Sequence, residues 1–232
     1  MIEEQIFPLI SLRPDGITCM GTGFFIEAGG GFVTAKHVLD IPERIEDFKM
    51  FGVQSLSNGQ RLRRKVIHIH AHPDADVAIG RLGNIYDENG KVIEMVPPPV
   101  SVHNISLQGF KVGDKISSFG YPNQKVSNLS EDLDAVDFMG EWTEGEIIKY
   151  LDRTIWIPTP CFETSMILKG GHSGGPVLLD GYIAGVNNSG NYETSYVSAL
   201  SYLLDLNVFV NGQSIPFKQI VEQGGSHHFR SP

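Results

Sequence analysis

Five residues that could bind a metal or carry a proton lie within nine positions of the stretch HIHAHPDADVAI, His68 to Ile79. Three histidines and two aspartates follow one another at a spacing of two. Imidazole and carboxylate groups are ligands of zinc and other transition metals, so this stretch could hold a metal ion. Residues two apart on a strand also share one face, so the same spacing fits a strand that only positions a reactive group.

The metal hypothesis is supported by an incomplete motif. Residues 70–74 match the first five positions of the H-x-H-x-D-H signature of metallo-β-lactamase-like hydrolases, but Ala75 replaces the last histidine. Metal affinity depends on the number of ligands, so the missing imidazole counts against a metal site. Short motif matches also occur often by chance.

Composition predicts a β-rich globular chain. The 232 residues are 41% hydrophobic, which is ample for a core, and 26 Gly and 13 Pro separate many short apolar runs. The net charge of −9 argues against nucleic-acid and anionic-membrane partners. The basic run Arg61 to Lys65 is a local exception, which we expect to be the charged face of an edge strand.

Cysteine usage and the N-terminus predict a cytoplasmic protein without a membrane partner. No segment approaches the roughly 18 apolar residues of a membrane span. MIEEQIFPLI carries two glutamates where a secretory signal would carry basic residues. Cys19 and Cys161 supply no disulfide framework, and we expect both to be buried thiols.

Alternating apolar segments with turn signals between them predict the strands of a sandwich or barrel. Helices are predicted only near Ser198–Asp205 and in PFKQIVEQGG, whose two glycines are stop signals. Consecutive prolines cannot lie in a central strand, so Val96–Val102 is the expected boundary between two β-rich halves. We expect residues 224–232 to be flexible.

Three short segments carry a histidine, an aspartate and a serine, in that order. His37 follows an apolar run, Asp76 precedes the strand-like run Val-Ala-Ile, and Ser173 lies between two pairs of glycines. Serine is a poor nucleophile at neutral pH and needs a neutral imidazole to accept its proton. A buried carboxylate holds such an imidazole in one tautomer. These residue types therefore suit nucleophilic hydrolysis.

The same segments resemble the chymotrypsin-like (trypsin-like) serine peptidases, and most closely their disulfide-poor bacterial HtrA-like branch. The matches extend over about residues 6–206, and we expect no room for a PDZ domain after them. The matching motifs are G-T-G-F-F-I (21–26), T-A-K-H-V (34–38), D-V-A-I (76–79), F-G-Y-P (119–122) and G-H-S-G-G-P-V (171–177).

The resemblance implies an all-β fold, a double β-barrel of the chymotrypsin-like type with the active site in the cleft between the barrels. We expect an N-terminal barrel over residues 1–97 and a C-terminal barrel over residues 98–212. A short helix and the flexible tail would occupy residues 213–232.

The resemblance also implies the role of each residue. His37 would be the general base, Asp76 the acid that orients it, and Ser173 the nucleophile, while the N–H groups of Gly171 and Ser173 would form the oxyanion hole. Asp74 is the alternative acid, but Pro-Asp is typical of a turn. The chain would then be an endopeptidase that cleaves protein or peptide substrates through an acyl-enzyme, with no cofactor and no metal. The histidines of residues 68–72 would flank the strand and turn that deliver Asp76.

Two departures from the family concern regulation. His172 stands where secreted members carry an aspartate that pairs with a new N-terminus, so zymogen cleavage is not expected. We expect loops that order the oxyanion hole, triggered by a ligand or an activating partner protein. Ser130–Glu146 is the candidate segment, and a solvated surface loop is the alternative.

Substrate selection is expected to favour a small or medium aliphatic side chain. Ile167, six positions before the serine, aligns with the base of the primary pocket, where an acid would select Lys or Arg. Asn187 could instead bind an amide side chain, and Ser189-Gly190 could pair with an extended substrate. The residues expected to bind substrate are Ile167, Leu168, Val186, Asn187, Asn188, Ser189 and Gly190.

A second function class stays open at this point. The chain could keep the fold and the cleft as a peptide-binding or regulatory module whose oxyanion hole is collapsed. Residue types alone do not establish active geometry.

Overall fold

The computed structural model consists mainly of antiparallel strands arranged as two barrels. The residues it describes are 2–13, 16–27, 30–40, 49–55, 61–83, 85–86, 92–93, 105–130, 133–155, 157–190, 193–210, 212–223 and 229–230. The boundary expected within Val96–Val102 lies outside these residues.

The first barrel is closed by six antiparallel strands in the order β1, β2, β3, β6, β5, β4. The short helix α1 (Lys36–Leu39) follows its third strand, and a 3₁₀ helix (Ile2–Gln5) precedes its first. The strands are β1 (Ile6–Arg13), β2 (Gly16–Phe25), β3 (Gly31–Thr34), β4 (Lys49–Ser55), β5 (Arg61–Ala71) and β6 (Ala78–Leu82).

The basic run Arg61 to Lys65 lies in β5, which is not an edge strand. β5 pairs with both β4 and β6, and Arg64 is only 1% exposed. Its guanidinium donates to the carbonyls of Gly83 and Leu82 at 3.0 Å each, and to Gln54 Oε1 at 2.9 Å. Burial lowers its pKa to about 10. Successive side chains of a strand alternate between its faces, so one basic residue points inward and its neighbours point outward.

The second barrel closes through pairing of β13 with β14, in the order β13, β10, β11, β12, β15, β14. The closed pair of barrels confirms the predicted fold. The six strands are β10 (Lys115–Ser130), β11 (Leu133–Leu151), β12 (Cys161–Thr164), β13 (Pro176–Leu179), β14 (Tyr182–Gly190) and β15 (Ser195–Ala199).

Two short parallel strands extend the second barrel. β9 (Ile105–Ser106) pairs with β14, and β18 (Phe229–Arg230) pairs with β9. The expectation of a wholly flexible tail is therefore wrong for these two residues, because backbone pairing holds them. The rest of residues 224–232 lies outside the described part of the chain.

The remaining elements cover the first barrel. A 3₁₀ helix (Leu200–Asp205) and α2 (Phe217–Gln223) agree with the two predicted helices. β16 (Asn207–Val210) and β17 (Gln213–Pro216) form a separate hairpin, and β16 packs against β6. The C-terminal barrel predicted over residues 98–212 includes β16, but β16 pairs only with β17 among the described strands. β7 (Ile85–Tyr86) and β8 (Val92–Ile93) form another hairpin.

One apolar cluster joins the two barrels. It contains most of the first barrel's interior together with Phe119, Tyr121 and Val186 of the second. The Tyr121 hydroxyl also donates to the carbonyl of Ile6 at 2.9 Å. This shared core fixes the barrels relative to each other and hence the shape of the cleft between them. No described helix is long and apolar enough to cross a membrane.

Both cysteines are free thiols. Cys161 is fully buried, as expected, but Cys19 is partly exposed. Loss of solvation by burial still raises the pKa of each thiol to about 11. Neither thiol therefore has the lowered pKa of a reactive cysteine.

Candidate active site

Two neighbouring strands bring His37 and Asp76 together. β3 pairs with β6, so that α1 follows β3 at the same end where the turn bearing Asp76 enters β6. His37 Nδ1 lies 2.8 Å from Asp76 Oδ2, and the His37 backbone N–H donates to Asp76 Oδ1 at 2.9 Å. An ionised carboxylate can only accept, so Nδ1 carries the proton and Nε2 is left as an acceptor. Asp74 is exposed, and the described part of the chain shows no hydrogen bond from it to His37.

Asn188 of the second barrel holds the same carboxylate. Its Nδ2 donates to Asp76 Oδ2 at 2.9 Å and to the Asp76 carbonyl at 3.0 Å. Asn188 itself is fully buried. We expected this residue in the substrate-binding wall and missed its contact with the acid. The available signal was a polar pair, Asn-Asn, directly after the apolar run of β14.

Ser173 lies in the glycine-rich turn that precedes β13. Its hydroxyl donates to the carbonyl of Asn188 at 2.8 Å. Among the described residues, no hydrogen bond joins this hydroxyl to His37. The serine therefore faces the cleft with its proton directed to the second barrel.

Glycine is required at two positions of this turn. Gly171 has φ +97°, and a Cβ there would lie 2.3 Å from the carbonyl oxygen of Tyr121. Gly174 has φ +84°, and its Cβ would lie 2.0 Å from Thr34 Oγ1. A side chain at either position would meet both backbone strain and a direct clash.

Residues 169–172 form a type II turn ahead of the serine. His172 N–H donates to the Lys169 carbonyl at 3.1 Å, and the positive φ of Gly171 falls at the third position of the turn. In the described part of the chain, the N–H groups of Gly171 and Ser173 have no acceptor. Both groups are free to bind an oxyanion.

Thr22 anchors this turn from the first barrel. Its N–H donates to the Ser173 carbonyl at 2.8 Å, and its hydroxyl donates to the Gly171 carbonyl at 2.6 Å. The same hydroxyl accepts from the Tyr121 N–H at 3.1 Å. Thr22 has no role predicted from the sequence, although it lies within the G-T-G-F motif.

The buried ring of His172 packs against this turn. It is fully buried, and burial lowers its pKa. Its Nδ1 lies 3.3 Å from both the backbone nitrogen and the carbonyl oxygen of Lys169, and Nε2 lies 3.3 Å from Thr143 Oγ1. A Cβ on Gly120 would lie 2.9 Å from the ring, so β10 packs directly against it.

The pocket beside Ser173 is small. Its volume is about 120 Å³, or roughly four waters at about 30 Å³ each. A Cβ on Gly190 would lie 2.6 Å from Ser195 Oγ, and that hydroxyl donates to the Met166 carbonyl at 2.7 Å. Ser195 thus packs directly against Gly190, which lines the pocket. The lining residues are Leu168, Lys169, Gly170, Ser173, Asn188 and Gly190.

Three residues expected to bind substrate lie elsewhere. Ile167 is 56% exposed outside the pocket, because Met166 and Leu168 both point inward and the residue between them points to the opposite side of the segment. Val186 packs in the apolar core. Asn187 is buried and donates to Ser118 Oγ at 2.6 Å inside the barrel. The Ser189 side chain lies outside the described part of the structure.

The histidines of residues 68–72 have structural partners. His68 stacks on Phe209 with ring centroids 3.7 Å apart, and His70 Nδ1 accepts from the Asn207 N–H at 2.7 Å. Both contacts tie β5 to β16. The described residues contain no group of three or more His, Cys, Asp or Glu that could hold a metal ion.

A protein-family model matches the part of the chain that contains His37, Asp76 and Ser173. The model of the trypsin-like peptidase domain matches residues 21–186, which include His37, Asp76 and Ser173. The chain belongs to this family. No curated protein matches the chain.

Solved structures of HtrA-type and related proteases share the fold. Deg5 is 17% identical with a TM-score of 0.58, and the match covers 94% of this chain and 86% of Deg5. The HtrA-type protease AlgW, solved with a tripeptide, is 15% identical with a TM-score of 0.59; 95% of this chain matches 61% of AlgW. The active form of the Rv3671c protease from M. tuberculosis is 20% identical with a TM-score of 0.55. That match covers 87% of this chain and 78% of Rv3671c. Identities this low show a common fold alone.

Proposed function

We propose that this trypsin-like peptidase domain is a serine endopeptidase that hydrolyses peptide bonds in protein substrates. The observation that carries the proposal is the 2.8 Å contact of His37 Nδ1 with Asp76 Oδ2, in a cleft that also holds Ser173 between glycines. The contact leaves Nε2 of His37 as the acceptor that a serine nucleophile needs.

Acylation begins with a rotation of Ser173. Its hydroxyl leaves the Asn188 carbonyl and turns towards His37 Nε2, which takes the proton as Oγ attacks the carbonyl carbon of the substrate. The imidazolium formed is stabilised by Asp76. The C–N bond then breaks, the leaving amine takes the proton from Nε2, and the acyl group stays on Ser173 as an ester.

The negative charge of the tetrahedral intermediate falls on the former carbonyl oxygen. The free N–H groups of Gly171 and Ser173 are the donors that would bind it. The anchoring bonds from Thr22 to the same turn hold these donors in place before the reaction, so little reorganisation is needed.

Deacylation reverses the roles. Water enters where the amine left, gives a proton to His37 Nε2 and attacks the ester carbon. The second tetrahedral intermediate collapses, the proton returns to Ser173 Oγ, and the carboxylic product leaves.

The small pocket supports cleavage after a small aliphatic residue. A pocket of about 120 Å³ lined by Leu168 and glycines suits a small apolar side chain and offers no acid to pair with Arg or Lys. A second cavity of about 690 Å³ adjoins His37 and extends to Gly190 and Tyr196. Asn187 is hydrogen-bonded to Gly174 and Gly175 through its backbone, but beyond it β14 pairs only with β15 among the described strands. The other edge of this last part of β14 can pair with an extended peptide. The tripeptide bound to AlgW supports a peptide ligand.

Regulation is proposed to act through the β10–β11 hairpin, which includes the candidate segment Ser130–Glu146. Glu141 Oε1 lies 2.8 Å from Lys169 Nζ, and Thr143 contacts His172, so β11 holds the turn ahead of Ser173 from two sides. Lys169 lowers the pKa of Glu141 through their hydrogen bond. A ligand or partner that moves the hairpin would therefore change the oxyanion hole. Unchanged activity after shortening the hairpin would contradict this role.

One observation favours the alternative of a latent or inert peptide-binding module. The Ser173 hydroxyl is bonded to Asn188 and not to His37. A site that keeps this conformation would bind peptides in the cleft without cleaving them.

We also propose that the protein is located in the cytoplasm. Its two free thiols fit that reducing compartment.

The two functions are distinguished by peptide-library cleavage with mass-spectrometric readout, run in parallel with Ser173→Ala. The endopeptidase account predicts cleavage after Ala- or Val-sized residues by the wild type alone. Cleavage after Arg or Lys would contradict the pocket assignment. Binding of peptides without any cleavage would establish the inert module instead.

A further inference from the structure

His72 is a buried histidine with no part in the reaction proposed above. It is 6% exposed and lies four residues before Asp76, at the start of the turn between β5 and β6. Its N–H donates to the Val77 carbonyl at 2.9 Å and closes a loop around the acid. The loop thus begins at His72 and presents Asp76 near its end.

The ring of His72 accepts two backbone hydrogen bonds from this loop. Nδ1 accepts from the Ala75 N–H at 2.8 Å and from the Asp74 N–H at 3.1 Å. A ring nitrogen accepts only without a proton, so His72 is held as the neutral Nε2–H tautomer. These two N–H groups belong to the residues directly before Asp76. The ring therefore fixes the backbone that aims the carboxylate.

The other side of the ring is fixed by the 3₁₀ helix after β15. His72 Nε2 lies 3.5 Å from Asp205 Oδ2, and the Tyr202 ring meets the imidazole edge-on with centroids 5.2 Å apart. The His72 carbonyl also accepts from Lys36 Nζ at 2.9 Å, next to His37 in sequence. His72 thus connects the turn that bears Asp76 with α1, the helix that bears His37.

We propose that His72 is a positioning residue that acts through Asp76. Its unprotonated Nδ1 holds the turn so that the carboxylate meets its three donors on His37 and Asn188 at 2.8–2.9 Å. Displacements of about 1 Å in such a site reduce rates about a hundredfold. The inference rests on the proposed peptidase function, because the geometry that His72 protects is that of the acid and the base.

Two substitutions separate positioning from packing. His72→Asn retains an acceptor oxygen that can bind the same two N–H groups, as asparagine does in turns, but loses the ring. His72→Phe retains a ring of similar shape against Tyr202 but loses the acceptor. His70→Ala is the matched control, since it removes from β5 a ring that accepts the Asn207 N–H of β16 and has no hydrogen bond to the turn among the described residues.

The rate of labelling by a fluorophosphonate probe tests the proposal, measured well below each melting temperature. We expect His72→Asn and His70→Ala to stay within about threefold of wild type and His72→Phe to fall about a hundredfold. The reverse order, a fast Phe variant and a slow Asn variant, would show a packing role and overturn the proposal.

A readout independent of activity separates this inference from the proposed function. Imidazole ¹⁵N spectra of the wild-type protein report which ring nitrogen of His72 carries the proton. We expect an unprotonated Nδ1 on His72 and a His37 Nδ1 proton that persists in His72→Asn and is lost in His72→Phe. A protonated His72 Nδ1 would overturn the proposal even if neither variant folds. If the probe does not label the wild type, the peptidase function fails and the spectra alone decide the role of His72.

Discussion

Replacing Asn188 by alanine should slow the reaction of Ser173 without preventing folding. The change removes both hydrogen bonds from Nδ2 to Asp76, at 2.9 and 3.0 Å, and keeps the backbone carbonyl that accepts the Ser173 hydroxyl. A hydrogen bond to a charged group contributes about 1.5–3 kcal/mol. About 1.4 kcal/mol corresponds to a tenfold rate change, so labelling should slow about ten- to a hundredfold.

The assay is the second-order rate of fluorophosphonate labelling, with thermal melting measured on the same samples. Asn123→Ala is the matched control, because Asn123 also donates to a carboxylate, that of Glu141 at 3.3 Å, but lies exposed on the hairpin. It should label like wild type. A folded Asn188→Ala protein that labels as fast as wild type would refute the view that Asn188 holds the acid in its working position.

Three further predictions concern the acid, the buried cation and the thiols. Asp76→Asn should lower the rate of substrate cleavage about 10⁴-fold, because the His37 tautomer is no longer fixed. Asp74→Asn should cleave at the wild-type rate. Equal losses in the two variants would contradict the assignment of Asp76 as the acid that orients His37. Arg64→Ala should lower the free energy of unfolding by about 3 kcal/mol or more in denaturant titrations, since it leaves a cavity and unpaired carbonyls. Arg63→Ala, exposed on the same strand, should change it by less than about 1 kcal/mol. Both cysteines, with pKa about 11, are ionised in only about one molecule per thousand at pH 8, so iodoacetamide should alkylate them slowly until the protein unfolds.

Much of the fold and the site could be predicted because the signals are local. Positions that require positive φ or close backbone approach need glycine, which makes the turn around Ser173 visible in the sequence. Alternating apolar runs mark the strands, and the segments bearing His37 and Asp76 lie directly beside two of them. Turn chemistry also favoured Asp76 over Asp74, and it is Asp76 that contacts His37 Nδ1 in the structure.

The rest depends on contacts between residues far apart in the chain. Asn188 meets Asp76 across 112 positions, and Thr22 meets Gly171 across 149. Ile167 was misplaced because its orientation depends on whether Met166 or Ile167 enters the core, a choice made by the packing of the whole barrel. Arg64 was misplaced because only closure of the barrel gives β5 a partner on both sides.

The proposed reaction requires Ser173 to be a nucleophile activated by His37. This requirement can be tested by labelling the purified wild-type protein with a fluorophosphonate probe and locating the adduct by mass spectrometry. We predict one adduct, on Ser173, that Ser173→Ala abolishes and His37→Ala reduces to the background of the unfolded protein. A folded wild type that forms no adduct, or an adduct that persists in Ser173→Ala, would contradict it.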